Sequence, residues 1–333
     1  MRVCIVTPAP RRSHYGNRVT ALRWARLLRE LGHRVEIAQR FETQRCDLLI
    51  ALHARRSADS IERFRQKFPG RPIVLVLTGT DLYRDLPKSA VAQRALAAAD
   101  RLVVLQPMAL EALPRWARGR ARVVFQSAVK PPKTPAPNLR WFDVCVLAHL
   151  RPVKDPLRTA LAARLLPPSS RIRVIHLGAG MDPGLERRAK REMRRNRRYR
   201  WLGDRPRWKA LRILACSRLL ALTSVMEGGA NAISEAIVCG VPVIASRIPG
   251  TEGILGSDYP GYFEAKNTRA LAELLHRAEK DQAFYGQLRE RCLSLAPLFD
   301  PARERSSLGE LFADLFSESH TGGTTQLSSR RVS

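Results

Sequence analysis

The sequence predicts an α/β protein with two doubly wound, Rossmann-like domains that face each other across a cleft. Its length of 333 residues exceeds that of an average single domain and is sufficient for two domains. Short β-rich runs alternate with stretches of helical spacing in both halves, a pattern typical of parallel sheets covered by helices. Between the halves, the run Lys130–Pro137 contains four prolines in eight residues and predicts a semi-rigid linker. Ligands of such sheets bind beyond the carboxyl ends of the strands, so the cleft is the default candidate site.

The first half begins with a predicted strand over Val3–Thr7. A helix over Arg18–Leu31 follows and ends at Gly32, where a left-handed cap is expected. Further strands are predicted over Arg34–Ala38, Asp47–Leu52, Ile73–Leu77, Arg101–Leu105 and Arg122–Phe125. Further helices are predicted over Ser57–Phe68, Ser89–Ala99 and Met108–Arg115.

After the linker the same alternation restarts. Strands are predicted over Val144–Ala148, Arg171–Leu177, Tyr199–Leu202, Leu219–Thr223 and Val241–Ala245. Helices are predicted over Asp155–Leu165, Gly184–Arg195, Trp208–Cys216, Asn231–Cys239, Ala270–Leu293 and Pro301–Phe316. The predicted organisation is a first domain at 1–129, a hinge at 130–140, a second domain at 141–296, a final helical segment at 297–318 and a disordered tail at 319–333.

The composition excludes several classes of protein. Hydrophobic residues make up 45% and charged residues 26%, which is ordinary for a globular protein and argues against a mostly disordered chain. No apolar run approaches the ~18 residues that a membrane-spanning helix needs. The six cysteines form no C-x-x-C pair, which argues against zinc and against a disulfide framework. We expect neither a metal nor another cofactor. The strand-like amino terminus and the thiols favour the cytoplasm.

The net charge is strongly positive. There are 58 basic and 30 acidic residues, so the formal net charge is +28. A DNA-binding protein and an enzyme that handles several phosphates can both have this balance. The densest basic run, 187–209, carries one apolar stripe and no nucleic-acid-binding motif, so we interpret it as the solvated face of a helix. We therefore expect no nucleic-acid partner and at most a weak contact with an anionic membrane surface.

The clearest chemical pattern lies late in the second domain. A predicted strand is followed by a loop with Glu227 and then by a helix in which Glu235 lies one turn from the start. Gly228 and Gly229 let the backbone approach a ligand, and Asn231 is suited to cap the helix. A glycine turn before a helix N-terminus favours an anion, because free N–H groups and the helix dipole both attract it. Carboxylates beside such a site would accept hydrogen bonds from hydroxyls, so the pattern indicates a nucleotide sugar.

Glu227 and Glu235, with seven residues between them and Cys-Gly-Val-Pro-Val after them, resemble the E-x7-E signature of GT-B-fold glycosyltransferases of the family-four type. The resemblance covers nearly the whole chain. It implies the GT-B architecture, in which the final helix crosses back to the first domain. It also implies that Glu235 binds the ribose hydroxyls and Glu227 the donor sugar. The amides near the diphosphate and sugar would be those of Gly228, Gly229, Ala230 and Asn231.

A second family motif follows the first strand of the second domain. The family usually has G-R-L-x-x-x-K-G there, with Arg and Lys holding the diphosphate, and this chain has A-H-L-R-P-V-K-D at 148–155. Lys154 matches, His149 replaces the usual Arg, and Arg151 supplies a nearby charge. By the same resemblance, the loop with Gly203 and Arg205 forms the base pocket. Gly16 of the first domain completes the donor-binding set, because a glycine there can let the backbone approach the diphosphate.

Short strings in both domains narrow the resemblance. They are Thr78–Leu86, Leu105-Gln106, Phe125–Ser127, His149–Arg151 and Lys154–Pro156. These strings are similar to the selenosugar synthases of selenoneine biosynthesis. That similarity implies transfer of a sugar, N-acetylglucosamine, from a UDP-sugar to the selenium of selenophosphate, giving a selenosugar, UDP and phosphate. It also implies a functional link to an enzyme that supplies selenophosphate.

A small anionic acceptor needs cations more than a strong base, because selenium is already a good nucleophile. Three loops at carboxyl strand ends of the first domain supply suitable groups. The candidate acceptor-binding residues are Arg11, Arg12, His14, Asn17, His53, Arg55 and Thr80. The candidate catalytic residues are Glu227, Lys154, His53 and Asp81, with Asp81 as a positioning group or base.

Other interpretations stay open at this point. Asp81 is also compatible with a helix cap, His149 with a capping or packing role, and the basic loops with solvated surface. One alternative function is a GT-B glycosyltransferase that acts on another small-molecule or glycan acceptor. Another is a basic binding protein without turnover, against which the intact Glu227 and Glu235 pair argues.

Overall fold

The computed structural model describes residues 1–132, 134 and 136–321. The first sheet lies before the linker. Its strands are β1 Arg2–Val6, β2 Arg34–Ala38, β3 Leu48–Leu52, β4 Ile73–Val76, β5 Arg101–Val104 and β6 Ala121–Val123. Its helices are α1 Gly16–Glu30, α2 Ala58–Lys67, α3 Ala90–Ala98 and α4 Arg115–Arg118, with a π-helical turn at Asp81–Asp85 and a 3-10 turn at Pro107–Leu110. The strand order is β2-β1-β3-β4-β5-β6, and all pairs are parallel.

The second sheet repeats this plan after the linker. Its strands are β7 Phe142–Leu147, β8 Ile172–Leu177, β9 Tyr199–Trp201, β10 Leu219–Leu222, β11 Val243–Arg247 and β12 Tyr262–Glu264. The helices are α5 Arg158–Ala163, α6 Pro183–Arg195, α7 Arg207–Ala215, α8 Asn231–Val238, α9 Pro249–Leu255, α10 Thr268–Lys280, α11 Gln282–Ser294 and α12 Pro301–Thr321. Two further 3-10 turns lie at Pro152–Lys154 and Ala296–Phe299. The order is β12-β11-β10-β7-β8-β9, again all parallel.

Helix α12 belongs to the core of the first sheet. Leu308, Leu311, Phe312 and Leu315 are buried in one cluster with Trp24 of α1. Burying side chains of this size contributes about 1.5–3 kcal/mol each. The final helix therefore crosses back from the second sheet to the first. This confirms the predicted two-domain, doubly wound class and its crossover helix.

Two helix predictions are wrong. The helix predicted over Met108–Arg115 is a 3-10 turn at Pro107–Leu110 followed by the short α4, because Pro114 stands directly before α4 and cannot continue a helix from the residues before it. The single helix predicted over Ala270–Leu293 is the pair α10 and α11. Asp281 ends α10 in an extended conformation, and its side chain caps the start of α11.

Some elements were missed or misjudged at their ends. Helix α9 and strand β12 were not predicted, because both are short. The predicted tail begins too early, because α12 continues through residues 319–321. The rest of that tail, 322–333, lies outside the described residues, as do Lys133 and Pro135 of the linker. None of the helices in the described part of the chain is long and apolar enough to cross a membrane.

Candidate active site

A cleft with a cavity volume of about 300 Å³ lies where the carboxyl ends of the two sheets face each other. Most of the predicted site residues line it. They are His14, Gly16, Asn17, His53, Thr80, His149, Arg151, Lys154, Arg205, Glu227, Gly228, Gly229, Ala230, Asn231 and Glu235. The structure thus brings together groups that lie far apart in the sequence and on both domains.

Glu227 and Lys154 form an ion pair in the wall of the second domain. The Lys154 Nζ lies 2.5 Å from the Glu227 Oε1, and the Ser224 hydroxyl donates to the same oxygen at 2.5 Å. The side chain of Glu227 is 8% exposed and that of Lys154 is 26% exposed. Glu227 follows β10, and Lys154 ends the 3-10 turn after β7, so two adjacent parallel strands deliver the pair to the cleft.

Glu235 pairs with a residue that the sequence analysis missed. It lies on α8, and the guanidinium of Arg207, the first residue of α7, donates to its Oε1. Both residues line the cavity. Arg207 follows Arg205, which was singled out, but arginine is too abundant in this chain for position alone to mark it. The wall that the second domain contributes to the site thus carries two carboxylates, each with a cation beside it.

The start of α8 differs from the prediction that Asn231 caps it. Asn231 is the first helical residue, and the preceding Ala230 makes no side-chain cap. The Asn231 Oδ1 instead accepts a hydrogen bond of 3.1 Å from Arg23 of α1. Asn231 therefore joins the two domains at the mouth of the cleft.

The glycines before α8 are needed for contact between the domains. A Cβ atom on Gly228 would lie 2.5 Å from the carbonyl carbon of Thr78, and one on Gly79 would lie 2.6 Å from the Gly228 nitrogen. A Cβ on Gly229 would overlap the side chain of Leu105. The glycines were expected to let the backbone approach a ligand, whereas the close partners in the structure are residues of the first domain.

The first-domain wall contains a buried, neutral histidine. His53 has a φ of 78° and is 2% exposed. Burial lowers its pKa, so the imidazole is neutral near pH 7. Its Nδ1 accepts the backbone N–H of Arg56 at 3.4 Å, which leaves Nε2–H to donate to the Thr80 Oγ1 at 3.3 Å. The hydrogen of the Thr80 hydroxyl is then available to a ligand in the cleft.

Two guanidinium groups enter the cavity from opposite domains. Arg56 follows β3 and Arg151 follows β7, and both line the cleft. Within the described residues, neither guanidinium has a carboxylate or carbonyl partner. Burial and the positive charges of Arg56 and Arg84 lower the pKa of Arg151. Glu227 acts on Arg151 in the opposite direction. Cations gathered in a cleft attract an anionic ligand. Arg55 was predicted at this wall, but its neighbour Arg56 lines the cleft instead.

His149 is a contact between the domains. Its Nδ1 accepts the N–H of Ala179 at 3.0 Å, so Nε2–H donates to the carbonyl of His14 at 3.3 Å. Burial lowers its pKa, which keeps the ring neutral. His149 therefore does not supply the positive charge of the arginine that it replaces, whereas Arg151 does. A second contact between the domains lies beside it, where the His14 Nδ1 is 3.1 Å from the Asp204 carboxylate.

Five predicted site residues do not line the cavity, and for them the structure gives a different placement. Asp81 is fully buried, and its carboxylate accepts hydrogen bonds from the backbone N–H groups of Thr78 and Ala54 at 2.8 and 3.0 Å. These hydrogen bonds hold the loop after β4, and Asp81 does not line the cleft. The others are the exposed Arg11 and Arg12, Arg55, which binds Asp85, and Gly203, whose carbonyl accepts from Gly178.

No cluster of three or more His, Cys, Asp or Glu side chains suited to a metal ion occurs in residues 1–132, 134 and 136–321. Five cationic and three acidic residues line the cleft, namely Arg56, Arg151, Lys154, Arg205, Arg207, Asp204, Glu227 and Glu235. Such a surface can bind a diphosphate through Lys154 and Arg151 and hydroxyl groups through Glu227 and Glu235.

A family model described as glycosyl transferases group 1 matches residues 133–295, which contain the whole second sheet. Residues 133–295 are therefore similar to the group 1 glycosyl transferases. Solved structures of similar fold cover both domains. HepE from Anabaena, in complex with UDP and glucose, has a TM-score of 0.76 at 16% identity, over 94% of this chain and 100% of that one. Sucrose-phosphate synthase from Thermosynechococcus elongatus has a TM-score of 0.77 at 17% identity, over 95% and 99%.

A third similar structure is trehalose 6-phosphate synthase from Burkholderia multivorans, with a TM-score of 0.67 at 15% identity over 86% of this chain and 73% of that one. Likeness at these identities concerns the fold. The second Rossmann-like domain thus faces the first in the GT-B arrangement.

Proposed function

We propose that this chain transfers a sugar from a UDP-sugar to selenophosphate, giving a selenosugar, UDP and phosphate. The observation that carries the donor half is the pair of carboxylates, Glu227 and Glu235, each beside a cation at the start of α8. The match of residues 133–295 to the group 1 glycosyl transferases supports a sugar nucleotide as donor. The UDP and glucose in the HepE structure point to the same class of ligand.

In the proposed reaction the bond between the anomeric carbon and the diphosphate breaks, and its electron pair leaves with UDP. Selenium forms the new bond to that carbon. Water then cleaves the selenium–phosphorus bond, which gives inorganic phosphate and the selenol of the sugar. Lys154 and Arg151 stabilise the charge that develops on the departing diphosphate, so the protein's own cations supply the role that a metal has elsewhere.

The acceptor half rests on the first-domain wall. Arg56 and Arg151 offer unpaired positive charge from two sides, and Thr80 offers a hydroxyl donor. An anionic acceptor would be held there against the donor sugar. Selenophosphate is already a strong nucleophile, so the reaction needs no carboxylate base. This agrees with the occupied oxygens of Asp81.

A second candidate is transfer to another small phosphorylated acceptor, because the same two arginines would bind any phosphate group. UDP release measured with each acceptor in turn separates the two. Release that depends on selenophosphate supports the proposal, and release only with a sugar phosphate replaces it with the second candidate. Binding of a UDP-sugar without UDP release under any condition would identify a protein that binds but does not turn over.

We infer a cytoplasmic location, because all six cysteines are free thiols in the structure. We also infer that an enzyme that makes selenophosphate supplies this site. The hinge proposed at 130–140 would let the two domains separate to admit substrates. The contacts of His14 with Asp204 and with His149 would then break and re-form in each cycle.

A further inference from the structure

Glu304 is a buried carboxylate that does not itself line the cavity. It lies in the first turn of α12, and its side chain is 0% exposed. Both oxygens are occupied by donors of the first domain. The Trp24 Nε1 donates to Oε1 at 2.7 Å, and the backbone N–H of Ser127 donates to Oε2 at 2.8 Å. The Ser127 hydroxyl also donates to Oε2.

Arg23 connects this carboxylate to the candidate site. Its Nε lies 2.9 Å from the Glu304 Oε2, and its side chain is 9% exposed. Another nitrogen of the same guanidinium donates to the Asn231 Oδ1 at 3.1 Å. A planar guanidinium is well suited to such a bridge, because its donors point in fixed directions. Glu304, Arg23 and Asn231 therefore form a continuous chain from α12 through α1 to α8.

Gln126 supports the same arrangement. With its amide oriented by its neighbours, its oxygen accepts from the Thr20 hydroxyl at 2.6 Å and from Arg23 at 3.1 Å. Its nitrogen donates to the carbonyl of Gly229 at 2.8 Å and to the Asn231 Oδ1 at 3.2 Å. Two donors thus face the Asn231 oxygen. The Asn231 amide nitrogen therefore points toward Gly16. Asn231 and Gly16 both line the cavity.

We propose that Glu304 and Arg23 are positioning residues that hold the Asn231 amide with its nitrogen toward the cavity. There the Asn231 amide donates a hydrogen bond to the diphosphate or to the sugar of the nucleotide sugar. The inference rests on the proposed function only in the identity of that donor. Glu304 fixes the Arg23 guanidinium, Arg23 fixes the Asn231 oxygen, and the orientation of α8 at the site depends on a carboxylate of the crossover helix.

The test compares Glu304→Gln with Glu30→Gln. Glu30 pairs with Arg305 at 3.2 Å and so joins the same two helices, but both side chains are exposed. Hydrogen–deuterium exchange of the full chain without ligand reports the first turn of α8 directly. We expect faster exchange there in Glu304→Gln and no change in Glu30→Gln. Unchanged exchange in Glu304→Gln would overturn the proposal, whether or not the chain transfers sugar.

A double-mutant cycle tests the route through Asn231. We expect Glu304→Gln to raise the KM for the UDP-sugar about tenfold with the acceptor KM unchanged. In an Asn231→Ala background the same substitution should add less than about twofold, because its target is gone. Additive effects, or equal rises in both KM values, would assign Glu304 to general stability and overturn the proposal. If no sugar transfer is found, the Kd for UDP by calorimetry replaces the KM in the same cycle.

A second variant tests the same contacts if Glu304→Gln does not fold. Arg23→Lys keeps a positive charge beside Glu304 but lacks the planar fork that reaches Asn231. We expect it to retain the thermal midpoint more closely than Glu304→Gln does and to show the same faster exchange in α8. A folded Arg23→Lys with wild-type exchange in α8 would contradict the chain of contacts.

Discussion

Replacing Lys154 with Met removes the positive charge beside Glu227. The nearly buried carboxylate of Glu227 is then left without this partner. At an effective dielectric constant of about 20, unit charges 2.5 Å apart attract by about 7 kcal/mol, and desolvation of both groups offsets most of this. Breaking a fully buried pair costs about 3–5 kcal/mol. Because Lys154 is 26% exposed, we expect a smaller loss of about 2 kcal/mol in the free energy of unfolding.

The effect on turnover should be larger than the effect on stability. A single group that stabilises charge in a transition state contributes about 3–4 kcal/mol, so kcat should fall by about 10²–10³-fold in Lys154→Met. The uncompensated Glu227 would also repel the diphosphate and weaken UDP binding. Steady-state UDP release and urea unfolding measure the two effects separately.

Lys190→Met is the matched control. Lys190 pairs with Glu186 at 2.7 Å on the surface of α6, with 54% and 34% of the side chains exposed, and should change neither quantity by much. If Lys154→Met lost stability but kept kcat within a fewfold of wild type, Lys154 would be a structural partner of Glu227 only. The assignment of the diphosphate site would then be wrong.

Four further predictions concern other parts of the account. Glu235→Ala should weaken UDP binding, and unchanged affinity in calorimetry would remove Glu235 from the donor site. Gly229→Ala should separate the domains, because its Cβ would overlap the side chain of Leu105, and small-angle scattering should show a larger radius of gyration. UDP release should persist in EDTA, whereas its loss and recovery with added Mg²⁺ would show a metal requirement. His176 is fully buried, and burial lowers its pKa to about 4. As the pH falls, this imidazole is therefore protonated in the unfolded chain before it is protonated in the folded chain. About 3 kcal/mol of stability should be lost between pH 6.5 and 4, and denaturant unfolding of His176→Gln should show a flatter profile.

The grouping of the proposed donor-binding residues could be predicted from the sequence because these residues are local. Glu227 and Glu235 lie on one strand–loop–helix unit, and the spacing alone places them at one mouth. Lys154 follows the neighbouring strand, so parallel order brings it to the same edge. The alternation of strands and helices fixed the fold class for the same reason. In each case, residues that meet in the structure lie on the same strand–loop–helix unit or on adjacent parallel strands.

The remaining features depend on contacts that no local pattern encodes. Arg207 reaches Glu235 from another helix, and it is one of many arginines. Asp81 has the position of a base, yet nearby backbone N–H groups occupy its oxygens. Glu304 meets Arg23 across 281 residues of sequence. These groups become recognisable only when the two domains and the crossover helix are placed together.

The central claim is tested most directly by mass spectrometry of a reaction that contains the purified chain, UDP-N-acetylglucosamine and fresh selenophosphate. Parallel reactions omit each component, and one contains the Glu227→Gln variant. The account predicts a hexosamine mass that carries the isotope pattern of selenium, together with equimolar UDP, only in the complete wild-type reaction. UDP-sugar left intact, or UDP released without any selenium-containing sugar, would contradict it.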